Sequence, residues 1–184
     1  MKRFGFDDPN VASFISELKQ VNLVGSIFMV LLTGPYRKGK KKFILDLAKK
    51  IDEEIIHVDL IDIITMNEKE TEKNIDAFLN DLSEDEKILF LSNGDRLCGE
   101  YAGYTFSKTR YATPQGRYLL RKIRNIEKII FIDVADEDNV DKTLERHSHA
   151  MIRFPRPGSL LKRLTWQLGN LDFHGYNIRS KRPA

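Results

Sequence analysis

The sequence contains very little cysteine, with Cys98 as the one thiol in 184 residues. A single thiol excludes an internal disulfide framework and is typical of a reducing compartment. Long apolar runs are also absent, and the longest is much shorter than the roughly 20 residues that span a bilayer. The first ten residues, MKRFGFDDPN, have no apolar signal core. We therefore expect a cytoplasmic protein with no membrane partner.

Metal-ligand patterns and a strong charge bias are absent as well. His57 lies in the apolar stretch IIHVDL, and no second histidine, cysteine or acidic cluster stands at metal-ligand spacing from it. We therefore expect no metal site, and we expect His57 to be packed or at the surface. The formal net charge of +3 is too small to indicate nucleic-acid binding by itself.

The sequence does contain a regular alternation of apolar runs and amphipathic stretches. Continuous apolar runs predict strands that are covered on both faces, and apolar residues at helical spacing predict helices. The predicted strands are residues 27–32, 55–60, 87–91, 128–134 and 149–154. The predicted helices are residues 9–20, 43–51, 67–82, 117–126, 139–147 and 159–168. This alternation predicts an α/β fold, a three-layer α-β-α sandwich with a five-stranded, mostly parallel sheet.

The pattern also divides the chain into three parts. We expect an N-terminal helix in residues 1–22, an α/β core in residues 23–168 and a basic C-terminal tail in residues 169–184. A chain of this length is typical of one domain with at most a small appendage.

A glycine-bracketed basic loop, GPYRKGKK at residues 34–41, follows the first apolar run. Gly34, Gly39 and Lys40 have the spacing of the phosphate-binding pattern G-x-x-x-x-G-K-[ST]. In that pattern backbone N–H groups surround a phosphate, and the lysine reaches the terminal phosphates. Lys41 stands where a hydroxyl would bind Mg²⁺, and a lysine cannot ligate a cation. The alternative interpretation is a solvated lysine-rich turn that begins a helix.

A second stretch, residues 98–116, interleaves aromatic and basic side chains with glycines and a proline. These side chains are Tyr101, Tyr104, Phe106, Lys108, Arg110 and Tyr111. Such a loop could stack on the bases of a nucleic acid. It could equally be an ordered surface loop or a protein contact.

Four segments in order resemble the motifs of the AAA+ ATPases of the P-loop superfamily, over residues 28–165. The loop GPYRKGKK resembles that family's G-P-P-G-T-G-K-T. The matching residues are Gly34, Pro35, Gly39 and Lys40, and the differing residues are Tyr36, Arg37, Lys38 and Lys41.

The stretch ILFLSNGDRL resembles the Walker B segment, an apolar run followed by D-E-A-D-x-L. Asp95 and Leu97 match it. Ser92 stands at the place of the magnesium-linked Asp, and Asn93 at the place of the water-activating Glu. The Walker B segment is therefore degenerate.

The last two segments resemble the sensor-one strand and the exit from the fifth strand. In FIDVADEDNVDKTLER, Asp136 falls at the place of the sensor Asn, and Val140, Asp141 and Leu144 match the later part. In IRFPRPGSLLKRL, Pro157 and Arg163 match. The family's C-terminal helical lid is mostly absent. By position, Arg146 and Arg156 are either arginine fingers toward a neighbouring subunit or surface arginines.

The resemblance implies ATP or ADP as the cofactor and a P-loop NTPase or AAA+-like core. We predict that the nucleotide contacts are Gly34, Pro35, Arg37, Lys38, Gly39, Lys40 and Lys41. Hydrolysis in the family needs a lysine, Mg²⁺ and a carboxylate that orients water. Because the loop hydroxyl and both carboxylates are replaced, we expect no catalytic residue, no metal ligand and little binding of Mg²⁺.

Three hypotheses follow, in order of preference. The first is a non-hydrolysing module that binds nucleotide weakly or not at all and acts on another protein or by self-assembly. The second is an active ATPase in which Asp95 or Asp133 replaces the missing Asp. The third is a nucleic-acid-binding module that uses the basic loop, the aromatic stretch and the tail.

Overall fold

A computed structural model describes residues 1–18, 27–85, 87–98, 112–156 and 158–159, together with a strand at 178–180. The predicted helix at residues 159–168 and most of the basic tail lie outside the described residues. So do the aromatic side chains of residues 101–111, and Pro157 and Arg163.

All neighbouring strands of the sheet run parallel. The strands are β1 (Lys2–Gly5), β2 (Phe28–Thr33), β3 (Ile55–Asp59), β4 (Ile88–Ser92), β5 (Ile129–Val134), β6 (Ala150–Arg153) and β7 (Ile178–Ser180). Their order across the sheet is β1-β6-β2-β5-β4-β3-β7. The five predicted strands are β2 to β6. The predicted number was wrong, because the sheet has seven strands within the described ranges, and the short edge strands β1 and β7 lack a continuous apolar run.

Helices cover both faces of the sheet, so the three-layer architecture is confirmed. They are α1 (Asn10–Leu18), α2 (Arg37–Ile51), α3 (Leu60–Ile63), α4 (Glu68–Asn80), α5 (Pro114–Ile123) and α6 (Lys142–His147). Helices α1 and α2 pack on one face and α3 to α6 on the other. Among the described residues, no helix has the length and apolar character needed to cross a membrane.

The alternation of side chains along β2 shows how the two faces are filled. Met29 and Leu31 belong to the core under α3 to α6, whereas Val30 and Leu32 belong to the core under α1 and α2. All four are essentially inaccessible to solvent. A strand buried on both faces must be apolar throughout, which explains the unbroken runs in the sequence.

The parallel arrangement places the ends of β2, β3, β4, β5 and β6 along one edge of the sheet, which we call the carboxyl edge. Strand β5 lies between β2 and β4, so its last residues separate the glycine loop from the Walker B-like segment. Ligands of such sheets bind outside this edge, and it is where the candidate site lies.

Candidate functional site

The chain turns sharply at Gly34, directly after β2. Gly34 has φ of +105°, which favours glycine over every residue with a side chain. A Cβ at this position would overlap the Phe154 carbonyl. The Gly34 amide also donates to the Val134 carbonyl at 3.1 Å. The first glycine of the motif is therefore needed for the close approach of three chain segments.

The basic loop does not stay open beyond Pro35, because α2 begins at Arg37. The Arg37 amide donates to the Pro35 carbonyl at 2.9 Å, and the Lys40 amide donates to the Tyr36 carbonyl at 3.2 Å. The Tyr36 amide donates to Phe154 at 3.3 Å. Three N–H groups that a phosphate-binding loop would present to an anion are thus bonded to carbonyls. The prediction of a loop over residues 34–41 was wrong from Arg37 onward, where α2 begins. Lysine and arginine favour helix, and here they continue α2 backward.

The Tyr36 ring covers the second glycine of the motif. A Cβ at Gly39 would overlap the Tyr36 ring. The Phe6 ring stands edge-on to Tyr36 at 5.9 Å between centroids and stacks on Phe154 at 5.5 Å. An aromatic cluster of Phe6, Tyr36 and Phe154 therefore lies against the first turn of α2.

Lys40, the motif lysine, points into the protein. Its side chain is 0% exposed, and its ammonium forms an ion pair with Asp133 at the end of β5. It also donates to the Val134 carbonyl at 2.9 Å. Burial lowers the pKa of Lys40, and the charge of Asp133 opposes that shift. Two of the three ammonium protons are thus directed at groups of β5.

The Walker B-like residues are bonded to the end of β3. The Ser92 hydroxyl lies 2.9 Å from His57 Nε2. Asn93 has left-handed backbone geometry, with φ of +57°. Its side-chain amide donates to Asp59 Oδ1 at 2.7 Å. Burial lowers the pKa of His57, and the charge of Asp59 opposes the shift. His57 is thus a packed partner of Ser92, stacked on Phe90 at 5.3 Å.

Asp95 connects the exit of β4 to the exit of β5. Its Oδ2 accepts from the Ala135 amide at 2.8 Å, and its Oδ1 accepts from the Asn139 side chain at 3.0 Å. Asp136, at the sensor position, accepts from the Asp138 amide at 3.1 Å and begins a short 3₁₀ turn. Within the described chain, no group of three or more His, Cys, Asp or Glu side chains could hold a metal ion.

The remaining predicted contacts lie on the outer side of the first turn of α2. Arg37 and Lys41 are exposed, and Lys38 is half-buried. No carboxylate oxygen of the described residues pairs with these three groups. Pro35 supplies the carbonyl for Arg37.

Sequence reasoning missed the partners that these residues have. Asp133 was considered as a magnesium ligand, whereas the structure pairs it with Lys40. A charged residue at the end of an apolar run is a signal for a buried role, but it does not identify the partner. Nothing in the sequence indicated that His57 contacts Ser92 or that Asp59 contacts Asn93. Nothing indicated that the Tyr36 ring covers Gly39 either.

A parallel sheet with a glycine loop after a central strand, followed by a helix, defines the P-loop class of nucleotide-binding proteins. The family model "ATPase family associated with various cellular activities (AAA)" matches residues 30–156, which is more than half of the chain, and the chain belongs to this family. The resemblance stated from the motifs is thereby confirmed. No curated protein matches the chain. Membership implies nucleotide binding in general, and AAA domains often form oligomers or contact other proteins.

Proposed function

We propose that this AAA-family protein is a non-hydrolysing module that acts through contacts with another protein or with further copies of itself. It binds ATP or ADP weakly or not at all. The observation that carries the proposal is the pairing of Lys40 with Asp133, because it engages the one intact motif residue of the hydrolytic machinery.

Nucleotide binding would require a rearrangement of the carboxyl edge. Lys40 would have to leave Asp133, and the first turn of α2 would have to open. Opening breaks the hydrogen bonds of the Tyr36, Arg37 and Lys40 amides. At about 1 kcal/mol net for each bond, the loss is about 3 kcal/mol, or about a hundredfold in affinity.

The residues present do not suit Mg²⁺ either. Ser92 brings no charge and is bonded to His57, while both oxygens of Asp95 are engaged. Lys41 places a positive charge where the hydroxyl ligand would stand. These features support loss of hydrolysis, and they argue against the alternative of an active ATPase with Asp95 or Asp133 as the metal ligand.

The proposed partner is a protein, and we propose a cytoplasmic location on the basis of the single cysteine. Arg146 and Arg156 are both exposed. Their side chains are therefore accessible to a neighbouring subunit, as the arginine-finger interpretation requires.

Thermal unfolding with added nucleotide tests this proposal. The midpoint is measured with ATP, ADP and Mg²⁺ for the wild type, Lys40→Ala and the control Lys50→Ala, which alters an exposed lysine in the last turn of α2. A ligand that binds only the folded state raises the midpoint. We expect no rise that depends on Lys40 at millimolar nucleotide.

Each variant is compared with its own ligand-free midpoint, because Lys40→Ala leaves Asp133 without its partner. A Mg²⁺-dependent rise in the wild type and in Lys50→Ala, but not in Lys40→Ala, would contradict the proposal. Steady ATP turnover that needs Lys40 would establish the active-ATPase alternative instead.

A second candidate function is nucleic-acid binding, which is favoured by the basic first turns of α2. Arg37, Lys41 and Lys42 are exposed, and no carboxylate of the described residues pairs with them. Three phosphate contacts predict an affinity for duplex DNA that falls about 40-fold between 50 and 200 mM salt.

Fluorescence anisotropy with a labelled duplex measures this dependence. Arg37→Glu/Lys41→Glu should abolish binding, while the control Lys50→Glu should retain most of it. Binding that is absent, or that is insensitive to salt, rules this candidate out.

A further inference from the structure

We propose that the Asp133 carboxylate is a built-in anion that occupies the position of a ligand's phosphate beside Lys40. Removing this carboxylate should create a binding site for a free oxyanion such as phosphate or pyrophosphate. The inference rests on the proposed function, because it identifies the residue that keeps nucleotide away from the motif lysine.

The position of Asp133 is fixed by the sheet. Asp133 stands beside Leu32 in the register between β5 and β2, one residue before β2 ends. Its neighbours Ile132 and Val134 both belong to the core under α3 to α6. Since side chains alternate along a strand, Asp133 lies on the opposite face, the face that α2 covers. The carboxylate is therefore held against the first turns of α2.

The surroundings of Lys40 favour a compensating anion beside its ammonium. A wholly buried ammonium without a compensating charge is strongly destabilising. Asp133 supplies this charge from a side chain that is 15% exposed, so part of that side chain reaches solvent. An anion from solution could occupy the same place once the carboxylate is gone.

The other carboxylate that acts on Lys40, Asp95, is held by its own hydrogen bonds. Both of its oxygens accept hydrogen bonds that hold the loop after β5. The Val134 carbonyl continues to bind Lys40 at 2.9 Å and would keep the ammonium at the edge. Arg37 adds a second positive charge nearby. These features favour a small oxyanion over a neutral ligand.

A small anion should bind more readily than a nucleotide in such a variant. Phosphate or pyrophosphate can place one oxyanion group where the carboxylate stood while the rest of the molecule lies in solvent, because the Asp133 side chain is partly exposed. A nucleotide also needs the hydrogen bonds of Tyr36, Arg37 and Lys40 to break. Tighter binding of phosphate or pyrophosphate than of nucleotide therefore indicates that only the built-in anion has been removed. Nucleotide binding of equal or greater strength indicates that the loop has opened as well.

The experiment compares the wild type, Asp133→Ala and Asp133→Ala/Lys40→Met in thermal unfolding with 0 to 10 mM pyrophosphate at constant ionic strength. We expect Asp133→Ala to have the lowest midpoint without anion, since it leaves the ammonium unpaired. Its midpoint should rise by at least about 4 °C with pyrophosphate. The wild type and the double variant should shift by less than about 1 °C, because one keeps its carboxylate and the other has no ammonium.

Asp133→Ser removes the charge, leaves part of the carboxylate's space empty and serves if Asp133→Ala does not fold. Its hydroxyl can still accept from Lys40, and pyrophosphate should again raise its midpoint, although by less than in the alanine variant. If pyrophosphate raises the midpoint of neither the Asp133 variants nor the wild type, the built-in anion is overturned and the proposed function is not. A Mg²⁺-dependent wild-type response to ATP that requires Lys40 would overturn the proposed function itself. An equal response in the double variant would assign the anion to Arg37 and Lys41 and would also overturn the inference.

Discussion

At the scale of single residues, the polar side chains of the carboxyl edge are bonded to one another. Lys40 pairs with Asp133, Ser92 with His57, and Asn93 with Asp59. Each pair joins neighbouring elements of the sheet and its cover. Side chains at the Walker A and Walker B positions therefore connect neighbouring elements of the edge.

Gly34 is the residue whose replacement should disturb this edge most directly. Gly34→Ala introduces a side chain at φ of +105° that overlaps the Phe154 carbonyl, so we expect it to reduce the free energy of unfolding by at least about 2 kcal/mol. Urea denaturation measures the change. Gly158→Ala is the matched control, because a Cβ at Gly158 meets no atom within 4 Å. If both variants unfold at the same urea concentration as the wild type, the turn is not strained.

At the scale of secondary structure, apolar periodicity predicted the elements well where packing determines them. Strands β2 to β5 are largely buried on both faces, as their mainly apolar sequences predicted. Edge strand β1 was not predicted, because Lys2 and Arg3 are exposed and none of its four residues is fully buried. Where an element ends depends on local bonds that periodicity does not report.

The starts of two helices illustrate this limit. Helix α5 begins at Pro114, three residues before the predicted start, because the Thr113 hydroxyl accepts from the Gly116 amide at 2.9 Å. Pro114 and Gly116 had indicated a loop, yet proline is favourable in a first helical turn. Helix α2 likewise begins earlier than predicted, because it includes residues 37–41 of the basic loop. The sequence thus predicted that the motif lies between β2 and α2, while its closed geometry depends on tertiary contacts.

At the scale of the whole molecule, β1 and α1 precede the matched region and extend the same sheet and core. Strand β1 pairs with β6, and Arg3 pairs with Glu145 of α6 at 2.5 Å. The family model begins at residue 30, so this segment adds to the matched region. Phe6, which follows β1, completes the aromatic cluster over the first turn of α2.

This arrangement predicts that the N-terminal segment unfolds together with the rest. Phe14 of α1 is 3% exposed, and its ring lies 5.2 Å from Phe4 and 6.1 Å from Phe28. Phe14→Ala should lower the free energy of unfolding by about 3–5 kcal/mol, whereas Ser13→Ala, at an exposed position of α1, should leave it nearly unchanged. Far-ultraviolet circular dichroism and tyrosine fluorescence, followed in urea, should both report one transition shifted to lower urea.

An early transition confined to part of the signal, with the main transition unmoved, would mean that α1 is an appendage. A single shifted transition would mean instead that the core under α1 and α2 depends on the N-terminal segment, which also supplies Phe6 to the closed edge.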